Sequence, residues 1–474
     1  MKLKEKINLE NLLIIFIILC PILDIASFLF RNKFNTNISI STVLRPLIPI
    51  IVFICIFFKE KSKNKIRLIL IGLIYLLYGI AHLFLYNKIK TGCTYGTIIH
   101  EAQYIVNYSF MILNLYIYNY VFKKENCLKL NKAILISSLI YIISIYIAII
   151  TKTSSSTYIE KIGYKGWFES GNSLGAILLI SSFVLMSNIL KIKNNKVKII
   201  IFSALLLIGI YLMTLLGTRV GLLGFIVLIL SFIISEFFCK FIKKTKIDKK
   251  NTLILISILA LLIVITIVAS SATVSRRKHL SNMENTIIDT STGEISHLTG
   301  DLTVIRNKII NNELEDNYMS KEQKQSVLDL YNIASKKDIS NTDTRKQQLI
   351  YHTQLVKNQK NILLILFGNG YLANTNELVW EMEFPAILLN FGIIGFSLYM
   401  MPFICIVCYA IIVSIKNIKK IDSEIIMLIF STLLAFVLST LSGYTFFNSS
   451  SMIIIIVANV LLKIKTNEIR GEKN

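Results

Sequence analysis

Apolar residues in this chain come in long unbroken runs separated by short basic stretches, not in amphipathic stripes. Stretches such as 11–30, 68–86, 133–151, 252–270 and 423–440 hold about 17 to 22 residues with almost no charge. That is enough to cross a hydrocarbon core of about 30 Å. Isoleucine is abundant in them and by itself suits strands, but strands run about 4–8 residues and these runs are several times longer. In lipid every backbone N–H and C=O needs a partner within its own segment, so such runs are helices. The pattern predicts spans at 11–30, 38–58, 68–86, 98–122, 133–151, 173–190, 199–216, 222–239, 252–270, 386–415, 423–440 and 447–462. The expected fold class is an all-α polytopic membrane protein of about 12 transmembrane helices with one large helical extracytoplasmic loop.

Charge orients this map. The formal net charge of +23 would suggest nucleic acid in a soluble protein. Here Lys and Arg cluster between apolar runs, as in cytoplasmic membrane loops, so the bilayer is the expected partner and nucleic acid is not. The connections 59–67, 123–132, 191–198, 240–250 and 416–422, with both termini, hold about 29 Lys and Arg, against about eight in the opposite connections. Both termini are therefore expected in the cytoplasm and residues 271–385 outside. Three regions follow: a membrane bundle at 1–270 with about nine helices, a loop domain at 271–385, and about three membrane helices in 386–474. The first apolar run is full length without a small-residue cleavage site, which argues against a cleaved signal. Cys405 and Cys408 share a redox-like spacing but fall inside an apolar run, where they read as packing residues. Only Cys93 is expected to face outward.

The loop has structure of its own. Asp343–Phe367 reads as one helix with Asp343 as N-cap and Gly368-Asn369-Gly370 as its end, and Lys321–Lys337 reads as another. The apolar tract Ile362–Phe367 is too short to span and is expected to rest on the membrane or the bundle. Trp380 reads as an interfacial anchor and Pro385 as a first-turn residue of the following helix.

Ionisable groups in a bilayer are costly unless paired or wet, so each is a candidate. Asp24 and Arg45 fall at similar depth, roughly 10 Å below the outer surface, and are placed to pair. His82 is expected near a helix end, Glu101 as either a solvated helix end or a site residue, and Arg219 at an outer turn with no obvious structural partner. In the loop, Arg345 and His352 are one heptad apart and share a helix face with Leu349 between them. Glu381 and Glu383 straddle Met382 where the chain returns to the membrane, as hydrated boundary residues or an acid/base group. Arg276-Arg277-Lys278 reads as a solvated or headgroup-facing cluster. Arginines, a histidine and carboxylates at the outer face suit an anionic, lipid-tethered substrate, because Arg grips a diphosphate through bidentate hydrogen bonds. Transfer of a glycosyl group from a lipid diphosphate needs the leaving group stabilised and a base for the acceptor hydroxyl. No metal-ligand spacing occurs among the five histidines, so no cofactor is expected.

Four stretches resemble the O-antigen ligase and O-antigen polymerase superfamily of bacterial envelope enzymes: Gly217-Thr218-Arg219-Val220-Gly221-Leu222-Leu223-Gly224; the segment from Arg345 through Leu366-Phe367-Gly368-Asn369-Gly370-Tyr371; Glu381-Met382-Glu383-Phe384 through Asn390-Phe391-Gly392-Ile393-Ile394-Gly395; and Gly166-Trp167-Phe168-Glu169-Ser170-Gly171-Asn172-Ser173-Leu174-Gly175, similar to Gram-positive-type members. The resemblance implies a metal-independent, inverting glycosyltransferase of polysaccharide biosynthesis in the bacterial cytoplasmic membrane. Its donor would be an undecaprenyl-diphosphate-linked glycan, and other polysaccharide-assembly membrane proteins are possible partners. Arg219 and Arg345 match arginines assigned to the diphosphate, Arg45 is grouped with them, and Asp24 and Glu101 support them. Typical ligases carry a His-Asn pair where Glu381 stands, which leaves the base open among Glu381, Glu383 and His352 and favours a polymerase or a ligase with an acceptor other than lipid A. The alternative reading is a flippase of lipid-linked glycans, which should show internal repeats.

Overall fold

The computed structural model describes residues 8–34, 40–89, 97–158, 160–189, 191–192, 194–243, 249–268, 271–283, 296–371, 373–443 and 445–471. Cys93 lies outside them. The chain is almost entirely helical: α1 (Leu9–Phe34), α2 (Ile40–Lys59), α3 (Ser62–Ile89), α4 (Ile98–Val121), α5 (Cys127–Ile150), α6 (Gly171–Asn188), α7 (Asn195–Ile210), α8 (Arg219–Lys243), α9 (Lys249–Val268), α10 (Ala272–Met283), α11 (Asp301–Ile310), α12 (Lys321–Lys336), α13 (Thr344–Gln359), α14 (Ile362–Phe367), α15 (Glu383–Asn390), α16 (Gly392–Lys416), α17 (Ser423–Leu441) and α18 (Ser449–Arg470). A small antiparallel hairpin joins β1 (Ser155–Ser156) to β2 (Tyr164–Gly166). Among the described residues, nine helices are long and apolar enough to cross a membrane. The helices at 40–59, 98–121 and 249–268 are not among those nine.

The chain forms two compact units, one of residues 1–59, 110–276 and 403–474, the other of 60–109 and 277–402. Helix α3 and the start of α4 group with the long polar segment. Arg219 lies in the first unit and Arg345 in the second.

The first unit is built around α6. All of its residues but Asn172 are buried, and it packs against α5, α8, α17 and α18. At the far end of α18 Lys465 holds Asp422 and Glu424 at 2.9 Å each and Glu468 at 3.4 Å, and Lys191 pairs with the same Glu424. Helix α7 widens into a π turn over Tyr211–Leu215, closed by Leu216 N–H to the Tyr211 carbonyl at 2.9 Å.

In the second unit the polar segment has its own core: Leu298 and Leu302 before and on α11, Val327 and Leu330 of α12, Tyr351 and Leu355 of α13, and Leu378. Helix α12 starts with a capping box of Ser320 and Gln323, which satisfies two first-turn N–H groups. Asp343 caps α13 as its sequence indicates, accepting from Lys346 N–H. The single helix expected over 343–367 is broken, however: Lys360 turns left-handed at φ 50° and Asn361 caps a fresh helix, α14. Helix α14 buries Leu364 against α3 and leaves Ile362, Leu363 and Ile365 exposed. The span expected at 386–415 is also broken, into α15 and α16, at Gly392 with φ +66°.

Candidate functional site

The two glycine-containing stretches of the second unit fold against each other backbone to backbone. Asn369 N–H donates to the Leu389 carbonyl at 3.2 Å and Gly370 N–H to the Asn390 carbonyl at 2.8 Å. Gly368 at φ +87° and Gly392 face each other so closely that a methyl group on either would overlap the other's backbone neighbourhood. Side chains of α3 and α4 clamp this junction. Tyr78 Oη donates to the Phe391 carbonyl at 2.7 Å. His82 Nδ1–H donates to the Phe367 carbonyl at 2.6 Å, while its Nε2 is hydrogen-bonded to Glu101 Oε1 at 2.7 Å. Glu101 Oε2 accepts from Tyr371 N–H at 2.9 Å. Both side chains are fully buried, so Glu101 is not a solvated helix end. Tyr104 stacks on Tyr371 with ring centres 3.7 Å apart, and Tyr108 Oη donates to Glu383 Oε1 at 3.4 Å. Glu383 is therefore buried behind a tyrosine wall.

Above the junction, α13 presents three polar side chains along one face, at Arg345, Gln348 and His352. Leu349, expected on that face, points outward and is 40% exposed. Arg345 Nε donates to Glu381 Oε2 at 3.0 Å, and both side chains remain about two-fifths exposed. Gln348 Oε1 accepts from Glu381 N–H and its Nε2 donates to the Glu377 carbonyl, both at 3.0 Å. His352 Nε2–H donates to the Leu378 carbonyl at 2.9 Å, and its ring stacks on Trp380 at 4.4 Å. Burial lowers the His352 pKa to about 4, so the ring is neutral near pH 7. Trp380, expected as an interfacial anchor, is instead buried, with its indole N–H on Asn390 Oδ1 at 3.1 Å.

In the first unit the depth argument for Asp24 and Arg45 is met. Arg45 Nη2 donates to Asp24 Oδ1 at 2.5 Å and Nη1 to Ser449 Oγ at 2.7 Å, while Tyr141 Oη donates to Asp24 Oδ2 at 2.5 Å. The Arg45 fork is thus occupied by protein groups, which counts against its use on a diphosphate. Arg219 stands differently. It opens α8 just after Gly217, which adopts φ +83°, and Thr218, whose hydroxyl caps Gly221 N–H at 3.1 Å. Its side chain is exposed, and among the described residues it has no ion pair or side-chain hydrogen bond. The β hairpin seats on this turn: Tyr211 Oη donates to the Tyr164 carbonyl at 2.9 Å, and Gly163 lies against Leu216. Arg276 covers the Tyr158 ring at 3.3 Å and reaches Glu160 at 3.4 Å, so it is less a solvated charge than a brace for the hairpin.

A model of the O-antigen ligase like membrane protein family matches residues 6–468, nearly the whole chain. The chain belongs to this family. No curated protein matches it. Family membership and the apolar helices make it a multi-pass membrane protein, and point to glycosyl transfer of the glycan ligase or polymerase kind. The sequence stretches that resemble the family sort into the two units. The Gly217–Gly224 and Gly166–Gly175 stretches meet at the hairpin and the π turn, and the other two form the glycine junction. Sequence reasoning missed Gln348, Tyr108, Tyr141 and Ser449. Of these only Gln348 carried a signal, its i+3 spacing from Arg345.

Proposed function

We propose that the chain transfers a glycan from an undecaprenyl-diphosphate donor to a glycan or cell-envelope acceptor on the outer face of the bacterial cytoplasmic membrane, without a metal. The observation that carries this reading is the Arg345–Glu381 pair, set beside the family's glycine junction. A half-exposed ion pair contributes about 0–1 kcal/mol. A diphosphate offers Arg345 stronger, charge-assisted and bidentate bonds, so donor binding displaces Glu381. The freed carboxylate then takes the proton of the acceptor hydroxyl. The acceptor oxygen bonds to the sugar's anomeric carbon, and the bond from that carbon to the diphosphate breaks with its electron pair passing to the leaving oxygen. A single displacement of this kind inverts the anomeric centre. Arg345 stabilises the leaving diphosphate. Arg219, exposed and without an ion pair or side-chain hydrogen bond among the described residues, is assigned the same class of ligand in its own right. Arg45 is left to Asp24, and His352 and Glu383 stand behind the reacting groups.

The test is purified protein with lipid-linked glycan extracted from cells lacking this gene, in EDTA, with product length read on a gel. New glycosidic bonds are expected. Movement of the donor across a vesicle without bond formation would instead identify a flippase, and a strict requirement for a divalent metal would overturn the mechanism. In the same assay Arg219→Ala is expected to lower kcat/KM about 10²-fold and Arg219→Lys about tenfold, since Lys keeps the charge but loses the fork. Wild-type rates in Arg219→Ala would remove that residue from the site.

The orientation is proposed on the lysine asymmetry. A cysteine placed at the exposed Lys337 should react with an impermeant reagent in whole spheroplasts, and one at the exposed Lys419 only after permeabilisation. The reverse pattern would invert the topology.

A further inference from the structure

We infer that Gln348 and His352 are positioning residues: together they hold the backbone of residues 377–381 so that the Glu381 carboxylate is presented beside Arg345. This rests on the assignment of Glu381 as the proton acceptor. The stretch between the short helix Asn376–Leu378 and α15 is extended at Val379 and Met382, so it cannot satisfy its own backbone groups as a helix would. Side chains of α13 supply what is missing. The Gln348 carboxamide bridges the carbonyl of Glu377 and the N–H of Glu381, and the His352 ring takes the intervening Leu378 carbonyl. Both side chains are nearly completely buried, and His352 is further locked by Trp380, whose indole is tied to Asn390.

What this arrangement fixes is specific. Residues 345, 348 and 352 recur at helical spacing on one face, so Arg345 and the two anchors of its partner ride on the same rigid element. The gap between guanidinium and carboxylate is then set by α13, not by a loop. A displacement of about 1 Å at a reacting group is enough to lower a rate roughly 10²-fold. His352 has its Nε2 proton committed to a carbonyl, and its ring stays neutral above a pKa of about 4. It acts as a fixed neutral donor, and the substrate proton goes elsewhere.

The experiment compares four variants at positions 348 and 352, with Glu381→Gln as a fifth, in the purified protein, using the lipid-linked glycan extract as donor probe. His352→Phe keeps a ring against Trp380 but removes the N–H, and Gln348→Met keeps length but removes both bonds. Each is expected to lower kcat roughly 10- to 100-fold with KM for the donor changed less than about threefold. His352→Gln can still donate to the Leu378 carbonyl but exchanges no proton in the assay range. It should stay within about threefold of wild-type kcat, with an unshifted pH profile. Gln348→Glu retains the acceptor for Glu381 N–H and loses the donor, and should fall between wild type and Gln348→Met. All rates are taken on the monodisperse fraction, so a variant that misfolds is replaced by its milder counterpart. The inference is overturned if His352→Gln loses as much as His352→Phe and shifts the pH profile, which would make His352 the base. It is overturned equally if Gln348→Met or, where that variant misfolds, Gln348→Glu keeps wild-type kcat while Glu381→Gln is inactive. A fully active Glu381→Gln would instead sink the assignment of Glu381 itself.

Discussion

Glu381→Gln is expected to lower kcat about 10²-fold or more while KM for the lipid-linked donor falls. The two effects have separate origins in one ion pair. Gln is nearly isosteric and can still accept from Arg345 through its amide oxygen, so the local geometry survives. It cannot take a proton from an acceptor hydroxyl, and loss of a general base typically costs about 10²–10⁴ in rate. At 10² this is about 2.7 kcal/mol of transition-state stabilisation. Neutralising position 381 also removes the anion that competes with the diphosphate for Arg345. Because that pair is about two-fifths exposed, the gain in donor affinity is small, up to about fivefold. Arg345→Ala should do the opposite to KM, raising it while kcat also falls. Initial rates at varied donor concentration read both parameters. An unchanged kcat in Glu381→Gln would move the base to Glu383, and a raised KM would contradict the displacement step.

Gly368→Ala is expected to destroy the folded protein rather than to slow it. At φ +87° an L-residue costs about 1–2 kcal/mol, and the added methyl would overlap the Asn390 carbonyl. Making room would separate the junction and lose the bonds from Asn369 and Gly370, each contributing about 1 kcal/mol. The total, about 3–4 kcal/mol, is a large part of a typical folding free energy of about 5–15 kcal/mol. Gly72 in α3 is the control: nothing lies within 4 Å of its would-be Cβ, so Gly72→Ala should be neutral or slightly stabilising. Size-exclusion profiles and thermal melts in detergent separate the two. A monodisperse Gly368→Ala with wild-type melting would show that the junction is dispensable.

The helices were legible in the sequence because apolar length is a local signal. Asp343 as a cap, Gly368 as a stop and the pairing of Asp24 with Arg45 were also readable, from cap chemistry, glycine geometry and depth. What was not readable depended on which distant segments meet. The partner of His82 is Glu101 together with a carbonyl nearly three hundred residues away. The break at Lys360 had a signal, Asn361 as a fresh cap, masked by continuous apolar residues beyond it. The role of Gln348 was hidden because a carboxamide on a polar helix face looks solvated until the segment it holds is placed.

The burial of α6 has a consequence for how the protein is made. Ser173, Ser181, Ser182, Ser187 and Asn188 put polar side chains along it, and two of the four helices that enclose it, α17 and α18, are the last described. Roughly 230 residues separate the end of α6 from the start of α17. At about 5–20 residues per second, α6 waits on the order of ten seconds or more for its partners to be synthesised. During that interval its polar side chains need shelter from insertion machinery or from provisional neighbours. A chain interrupted before residue 423 would keep them uncovered, which makes it a natural substrate for membrane quality control.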